Sequence, residues 1–153
     1  MLDDRTDVTA DALLRGAGLR VTATRVAVLG ALRSGPHATA DDVFDAIRGT
    51  LPGTSMQSVY NALGDLADAG LARRIEPAGH PGMFELRVGD NHHHVVCTGC
   101  GRVDDVDCVV GEAPCLHVPE GSGFLIETAE VTFWGVCPDC RATSEAEKPR
   151  GSR

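Results

Sequence analysis

An α+β fold in two parts is what this sequence predicts, and three observations predict it. Residues 1–88 carry apolar positions at helical spacing behind Ser and Thr capping residues, closed by a hairpin signal. Residues 89–141 are patterned as short strands. That second part contains two Cys-x-x-Cys pairs, Cys97-Thr98-Gly99-Cys100 and Cys137-Pro138-Asp139-Cys140, separated by 37 positions.

The elements follow in order. Asp7 to Gly16 is a short amphipathic helix ending in Gly-Ala-Gly. Thr22 to Leu32 brings Val21, Val28, Leu29 and Leu32 near helical spacing and stops at Ser34-Gly35-Pro36. Thr39 is an N-cap for Ala40 to Arg48, with Asp42 at N3 and Val43, Phe44 and Ile47 apolar. Leu51-Pro52-Gly53 breaks the chain. Ser55 then caps Met56 to Asp68, in which Val59, Leu63 and Leu66 share a buried face, and Gly70 ends it. Strands over Leu71–Glu76 and Met83–Val88 flank the turn Pro77-Ala78-Gly79-His80-Pro81-Gly82.

Short helices closed by a hairpin are the order of a winged helix-turn-helix, whose last helix enters the DNA major groove. Its outward positions are Gln57, Ser58, Tyr60, Asn61 and Gly64. Tyr60 could be a half-buried surface aromatic. DNA contact is the better reading, because Val59 and Leu63 already supply the core face. Arg73 and Arg74 on the wing, and Arg20 before the second helix, are placed to reach phosphates, although each alone reads as a solvated arginine.

Asp90-Asn91 marks the domain boundary. Beyond it, strands are predicted over His94–Val96, Arg102–Val106, Phe124–Glu130 and Val131–Val136, with a Gly/Pro-rich, weakly helical stretch from Val109 to Gly123. Residues 142–153 are predicted to be a disordered tail. So small a second domain buries little core alone; zinc and dimerisation are the usual remedies, so a homodimer built through this half is expected.

Composition narrows the function. The net charge of −8 argues against indiscriminate nucleic-acid binding. It is uneven: 9 arginines against 11 acids through Val88, then 5 basic against 11 acidic residues. A near-neutral first half permits DNA binding through local arginines, and an acidic second half suits cations. No apolar run approaches the roughly 20 residues of a membrane helix. The acidic start Met1-Leu2-Asp3-Asp4 lacks the features of a signal peptide. A cytoplasmic, reducing location is therefore expected, which favours metal ligation for the cysteines.

Paired thiolates of this kind form a closed tetrahedral zinc site on Cys97, Cys100, Cys137 and Cys140; two redox pairs or two disulfides compete with that reading. The run His92-His93-His94 enters the first pair. In a strand His92 and His94 share one face and His93 takes the other. Asp105 lies in the next strand, Glu85 at the end of the wing, and His37 between two helices. Imidazoles with carboxylates suit Fe(II), Mn(II) or Zn(II). If one ion is held by His37, Glu85, His92, His94 and Asp105, its occupancy sets the angle between the halves and so the spacing of the recognition helices. His37 alone reads as a loop histidine, His80 as a surface residue, and Cys108 and Cys115 as small buried hydrophobes, although Cys115 with His117 could join an accessory site. A zinc hydrolase would need an open coordination position and a general base in a pocket; no His-Glu-x-x-His or comparable spacing occurs, so no enzyme is expected.

Together, Gly18-Leu19-Arg20-Val21-Thr22, Ser58-Val59-Tyr60-Asn61-Ala62-Leu63, Asn91-His92-His93-His94-Val95-Val96-Cys97 with Cys100-Gly101, and Trp134-Gly135-Val136-Cys137 resemble the ferric uptake regulator family. The resemblance spans Gly18 to Arg141. It implies a dimeric, metal-dependent repressor binding a palindromic promoter, with structural zinc on the four cysteines. It also implies a regulatory Fe(II), replaceable by Mn(II) or Zn(II), on His37, Glu85, His92, His94 and Asp105. Tyr60 matches the recognition-helix tyrosine and Arg20 a phosphate contact, whereas Asn61 replaces an arginine common there. A third metal site is half present: His93 and Glu112 fall near ligand positions, but Ala129 stands where a histidine is expected. Asp105 is similar to the peroxide-sensing branch and Glu85 to the iron-sensing one. The segment Val103 to Cys115 is most similar to actinobacterial regulators of catalase genes. The resemblance thus implies peroxide sensing through Fe(II)-catalysed oxidation of His37 or His92; Fe(II) corepression and a thiol or zinc redox switch are the alternatives.

Overall fold

The computed structural model describes residues 8–90, 92–107, 123–125 and 130–146. The chain divides into two compact units, residues 1–89 and 90–153. Cys108, Glu112, Cys115, His117 and Ala129 lie outside the described residues, as does most of the stretch predicted to be weakly helical.

The first unit begins with helices α1 (Ala10–Gly16), α2 (Ala23–Ser34), α3 (Ala40–Ile47) and α4 (Met56–Asp68). Each starts at a hydroxyl side chain in an extended backbone: Thr9, Thr22, Thr39 and Ser55 all accept a hydrogen bond from an N–H of the first turn. Thr39 and Asp42 satisfy each other's backbone N–H groups as a capping box. At the end of α4, Gly70 takes φ +71, so that Leu71 N–H can donate to the Leu66 carbonyl at 2.9 Å. Leu14, Val28, Leu29, Leu32, Val43, Ile47, Val59, Leu63, Leu66 and Phe84 form one core. Helical periodicity therefore identifies the buried faces of α2, α3 and α4; Phe44, predicted with them, is only partly buried.

The hairpin comprises β2 (Arg73–Ile75) and β3 (Met83–Glu85), paired antiparallel with Arg73 opposite Glu85. Both strands are shorter than predicted, and a two-residue strand β1 (Ala38–Thr39) adds to the free edge of β3. So short a strand has no periodicity to detect.

The second unit is a three-stranded sheet in the order β5-β4-β6. Its centre, β4 (His92–Cys97), pairs antiparallel with β5 (Val103–Asp107) and parallel with β6 (Thr132–Gly135). Phe124 and Leu125, predicted to open a strand, have no strand structure and are exposed. The predicted disordered tail needs correction over 142–146, because helix α5 runs from Pro138 to Ala146. Pro138 occupies the first helical position, where its missing N–H costs nothing. Thr143 and Ser144 hydroxyls donate to the carbonyls of Asp139 and Cys140 at 3.0 and 2.9 Å, and Cys140 anchors the first turn. Among the described residues no helix is long and apolar enough to cross a membrane.

Candidate metal centres and nucleic-acid interface

Sheet register builds the cysteine site. Cys97, the last residue of β4, lies beside Gly135, the last of β6, so the turn after each strand carries one Cys-x-x-Cys pair to the same end of the sheet. Thr98 N–H donates to the Gly135 carbonyl at 2.7 Å and Cys97 N–H to the Arg102 carbonyl at 2.8 Å, closing the first turn. The four sulfurs lie within 4.8 Å of one another. Cys100 and Cys137 Sγ are 3.8 Å apart, and none of the four is in a disulfide. Tetrahedral zinc with bonds of about 2.3 Å separates its sulfurs by about 3.8 Å, whereas a disulfide needs about 2.05 Å.

Backbone donors point at the sulfurs as they would at thiolates: Cys137 N–H donates to Cys97 Sγ at 3.3 Å, and Cys140 N–H to Cys137 Sγ at 3.5 Å. The N–H groups of Cys137 and Cys100 lower the Cys97 thiol to about 6. Hydrogen bonding to Cys137, Cys100 and Cys97 raises Cys140 to about 12. Four sulfurs this close can all be thiolates only around a cation, so the donor set fits structural zinc. Arg102, just after the first turn, has Nη2 2.7 Å from Asp104 and Nη1 3.7 Å from Asp139, the residue between the second pair of cysteines.

In the second unit His94 lies opposite Asp105 across the β4–β5 ladder. Asp105 Oδ1 is 3.6 Å from His94 Nε2 and 3.7 Å from His92 Nε2, and the two imidazoles meet edge to face. Donors around one ion with bonds near 2.1 Å are about 3.0–3.4 Å apart, so each imidazole nitrogen is a few tenths of an ångström farther from Asp105 Oδ1 than two donors on a shared ion. His92 Nδ1 is held 2.6 Å from Asp90 Oδ1, which leaves Nε2 as the lone-pair nitrogen facing Asp105.

In the first unit His37 Nε2 is 3.1 Å from Glu85 Oε2. His37 sits at φ 60, the only described non-glycine residue in the left-handed region, where histidine is among the better-tolerated side chains. Glu85 is fully buried, and its other oxygen lies 3.9 Å from Arg73 Nε. His93 faces away from His92 and His94, as strand alternation requires. It is buried, packs its ring 6.3 Å from Phe133, and leaves Nδ1 without a hydrogen-bond partner among the described residues.

On α4, Tyr60 is 51% exposed, and Gln57 and Asn61 are exposed and joined by a 2.9 Å hydrogen bond. Ser58 is less available than its position suggests, because its N–H and hydroxyl are both tied to the cap residue Ser55. Arg20 is exposed, and its carbonyl accepts from Arg25 Nη1 at 2.7 Å. Arg25 also grips Asp65 of α4 through Nε and Nη2, at 3.2 and 2.6 Å, so one guanidinium ties the Arg20 loop to α4. Sequence reading missed Arg25, Asp65 and Asp90. Only Asp90 left a local signal, a carboxylate two positions before His92, where an extended chain puts both on one face.

Comparison with known proteins decides the family. Residues 16–134 match the ferric uptake regulator family. Transcriptional regulator FurA of Mycobacterium tuberculosis is 55% identical over 127 residues, covering 83% of this chain and 86% of that protein. The chain belongs to the ferric uptake regulator family. This regulator is also 32% identical over 133 residues to the peroxide operon regulator of Bacillus subtilis, covering 83% and 88% of the two chains. The solved ferric uptake regulator of Francisella tularensis with iron superposes at a TM-score of 0.68 with 26% identity, covering 81% of this chain and 96% of that one. As a family member the protein is a metal-dependent transcriptional regulator with a structural zinc site, and regulators of this family bind promoter DNA as dimers.

Proposed function

We propose that this protein is a cytoplasmic, non-enzymatic repressor whose affinity for palindromic promoter DNA is set by Fe(II), with Mn(II) or Zn(II) able to substitute. Residues 1–88 bind DNA through Gln57, Ser58, Tyr60 and Asn61 of α4, with Arg20 and Arg73 on phosphates. Residues 89–141 form the homodimer. The regulatory ion is held by His37, Glu85, His92, His94 and Asp105. The observation that carries this reading is the convergence of His92 Nε2 and His94 Nε2 on Asp105 Oδ1, at 3.7 and 3.6 Å. Imidazole with carboxylate is a donor set of intermediate hardness, matched to these metals. His93, with Glu112 and His117, is the candidate accessory set.

A second reading concerns the signal. The match to a peroxide operon regulator favours peroxide sensing at the same ligands, read out as oxygen added to His37 or His92 and loss of that ligand. The promoters controlled would then be those of catalase and other oxidative-stress genes.

One experiment separates the two. Operator binding is measured for Fe(II)- and Mn(II)-loaded protein with and without hydrogen peroxide, followed by peptide mass spectrometry. DNA binding that needs either metal and ignores peroxide means Fe(II) corepression. Release only from the Fe(II) form, with oxygen on the His37 or His92 peptide, means peroxide sensing. Release with unmodified histidines and oxidised cysteines means a thiol switch, and metal-independent binding overturns the proposal.

A further inference from the structure

Glu85 stands between a metal-type ligand and a wing arginine. One carboxylate oxygen, Oε2, lies 3.1 Å from His37 Nε2, while the other, Oε1, lies 3.9 Å from Arg73 Nε. The arrangement is built into the hairpin, because Arg73 and Glu85 are directly opposed in the β2–β3 ladder. The Glu85 side chain is 2% exposed and that of Arg73 24%, so water screens this pair less than a surface pair. We infer that Arg73 is a metal-gated phosphate-binding residue: a cation on Glu85 displaces its guanidinium from the carboxylate and turns it to the DNA backbone.

The argument is one of charge. A carboxylate carries a single negative charge, and a divalent ion at Oε2 both consumes it and repels the guanidinium a few ångströms away. Arginine cannot relieve that repulsion by losing its proton, so the repulsion acts on the position of the guanidinium. Its neighbour Arg74 is ion-paired to Glu76 at the surface, away from Glu85 in the ladder, where it pairs with Phe84. Arg73 and the metal thus compete for Glu85, and competition is reciprocal: whatever the metal does to the arginine, the arginine does to metal affinity. This rests on the proposed assignment of Glu85 as a regulatory ligand and adds the residue that carries its occupancy to the wing.

The test uses the zinc-replete full chain. Mn(II) affinity is measured without DNA for the native protein, Arg73→Gln, Arg73→Lys and Glu85→Gln. The inference expects Arg73→Gln to bind Mn(II) at least about 5-fold tighter, the low end of ordinary coupling, and Arg73→Lys, which keeps the charge, to stay near the native value. With Mn(II) bound, Arg73→Gln should lower the salt slope of operator binding by about 0.9 per protomer, one lost phosphate contact each. Unchanged or weaker Mn(II) binding in Arg73→Gln, with Glu85→Gln impaired, overturns the gate alone. Native Mn(II) affinity in Glu85→Gln overturns the ligand assignment and the gate with it.

Discussion

Asp90 Oδ1 lies 2.6 Å from His92 Nδ1, and that hydrogen bond decides which imidazole nitrogen is available. Nδ1 is committed as donor, so Nε2 presents its lone pair towards Asp105.

Asp90→Asn should therefore weaken Mn(II) binding by about 10–100-fold, the usual effect of losing a carboxylate that orients a ligand histidine. Zinc content should stay native, because the clustered zinc donors are Cys97, Cys100, Cys137 and Cys140. Competition titration with metal analysis checks both, and unchanged Mn(II) affinity would remove His92 from the ligand set.

Cys137→Ser should lose the zinc. Structural zinc contributes about 10–16 kcal/mol of apparent binding free energy to small domains, more than a three-stranded sheet can replace. The expected outcome is a chain with no tightly held zinc, a monomer in sedimentation, and helical circular dichroism from α1–α4 largely retained. Stoichiometric zinc in the variant would show that three sulfurs suffice.

Gly99→Ala tests the same site more gently. A Cβ on Gly99 would lie 3.1 Å from Cys140 Sγ and 3.3 Å from its Cβ, so Cys140 must give way by a few tenths of an ångström. Zinc should remain bound at rest but pass several-fold faster to a chromogenic chelator. An unchanged transfer rate would mean that the second turn moves without cost.

Two substitutions three positions apart on α4 should separate folding from recognition. Leu63 is fully buried, and Leu63→Ala should cost about 2–5 kcal/mol in urea unfolding of the first unit. Tyr60 is 51% exposed, and Tyr60→Ala should change stability by no more than about 0.5 kcal/mol. It should instead cost about 1–3 kcal/mol of operator binding, roughly 5- to 160-fold in a gel-shift titration. Native operator affinity in Tyr60→Ala would remove it from the interface.

What the sequence determined by itself is the local part of this protein. The caps Thr39 and Ser55, helical spacing of Val28, Leu29, Leu32, Val43, Ile47, Val59, Leu63 and Leu66, and the two Cys-x-x-Cys turns all act within about one helical turn, so they are legible in the chain. The side of β4 taken by His92 and His94 follows from strand alternation in the same way. Tertiary structure decided what depends on register and packing between distant segments. Cys97 beside Gly135 closes the zinc site, Arg73 opposite Glu85 sets the register of the hairpin, and Arg25 reaches 40 positions to Asp65. Helix α5 and strand β1 belong here too: each is short and weakly patterned, and each takes its conformation from what it is attached to, Cys140 for one and the edge of β3 for the other. Local propensity falls below the cost of ordering such segments, and long-range contacts supply the difference.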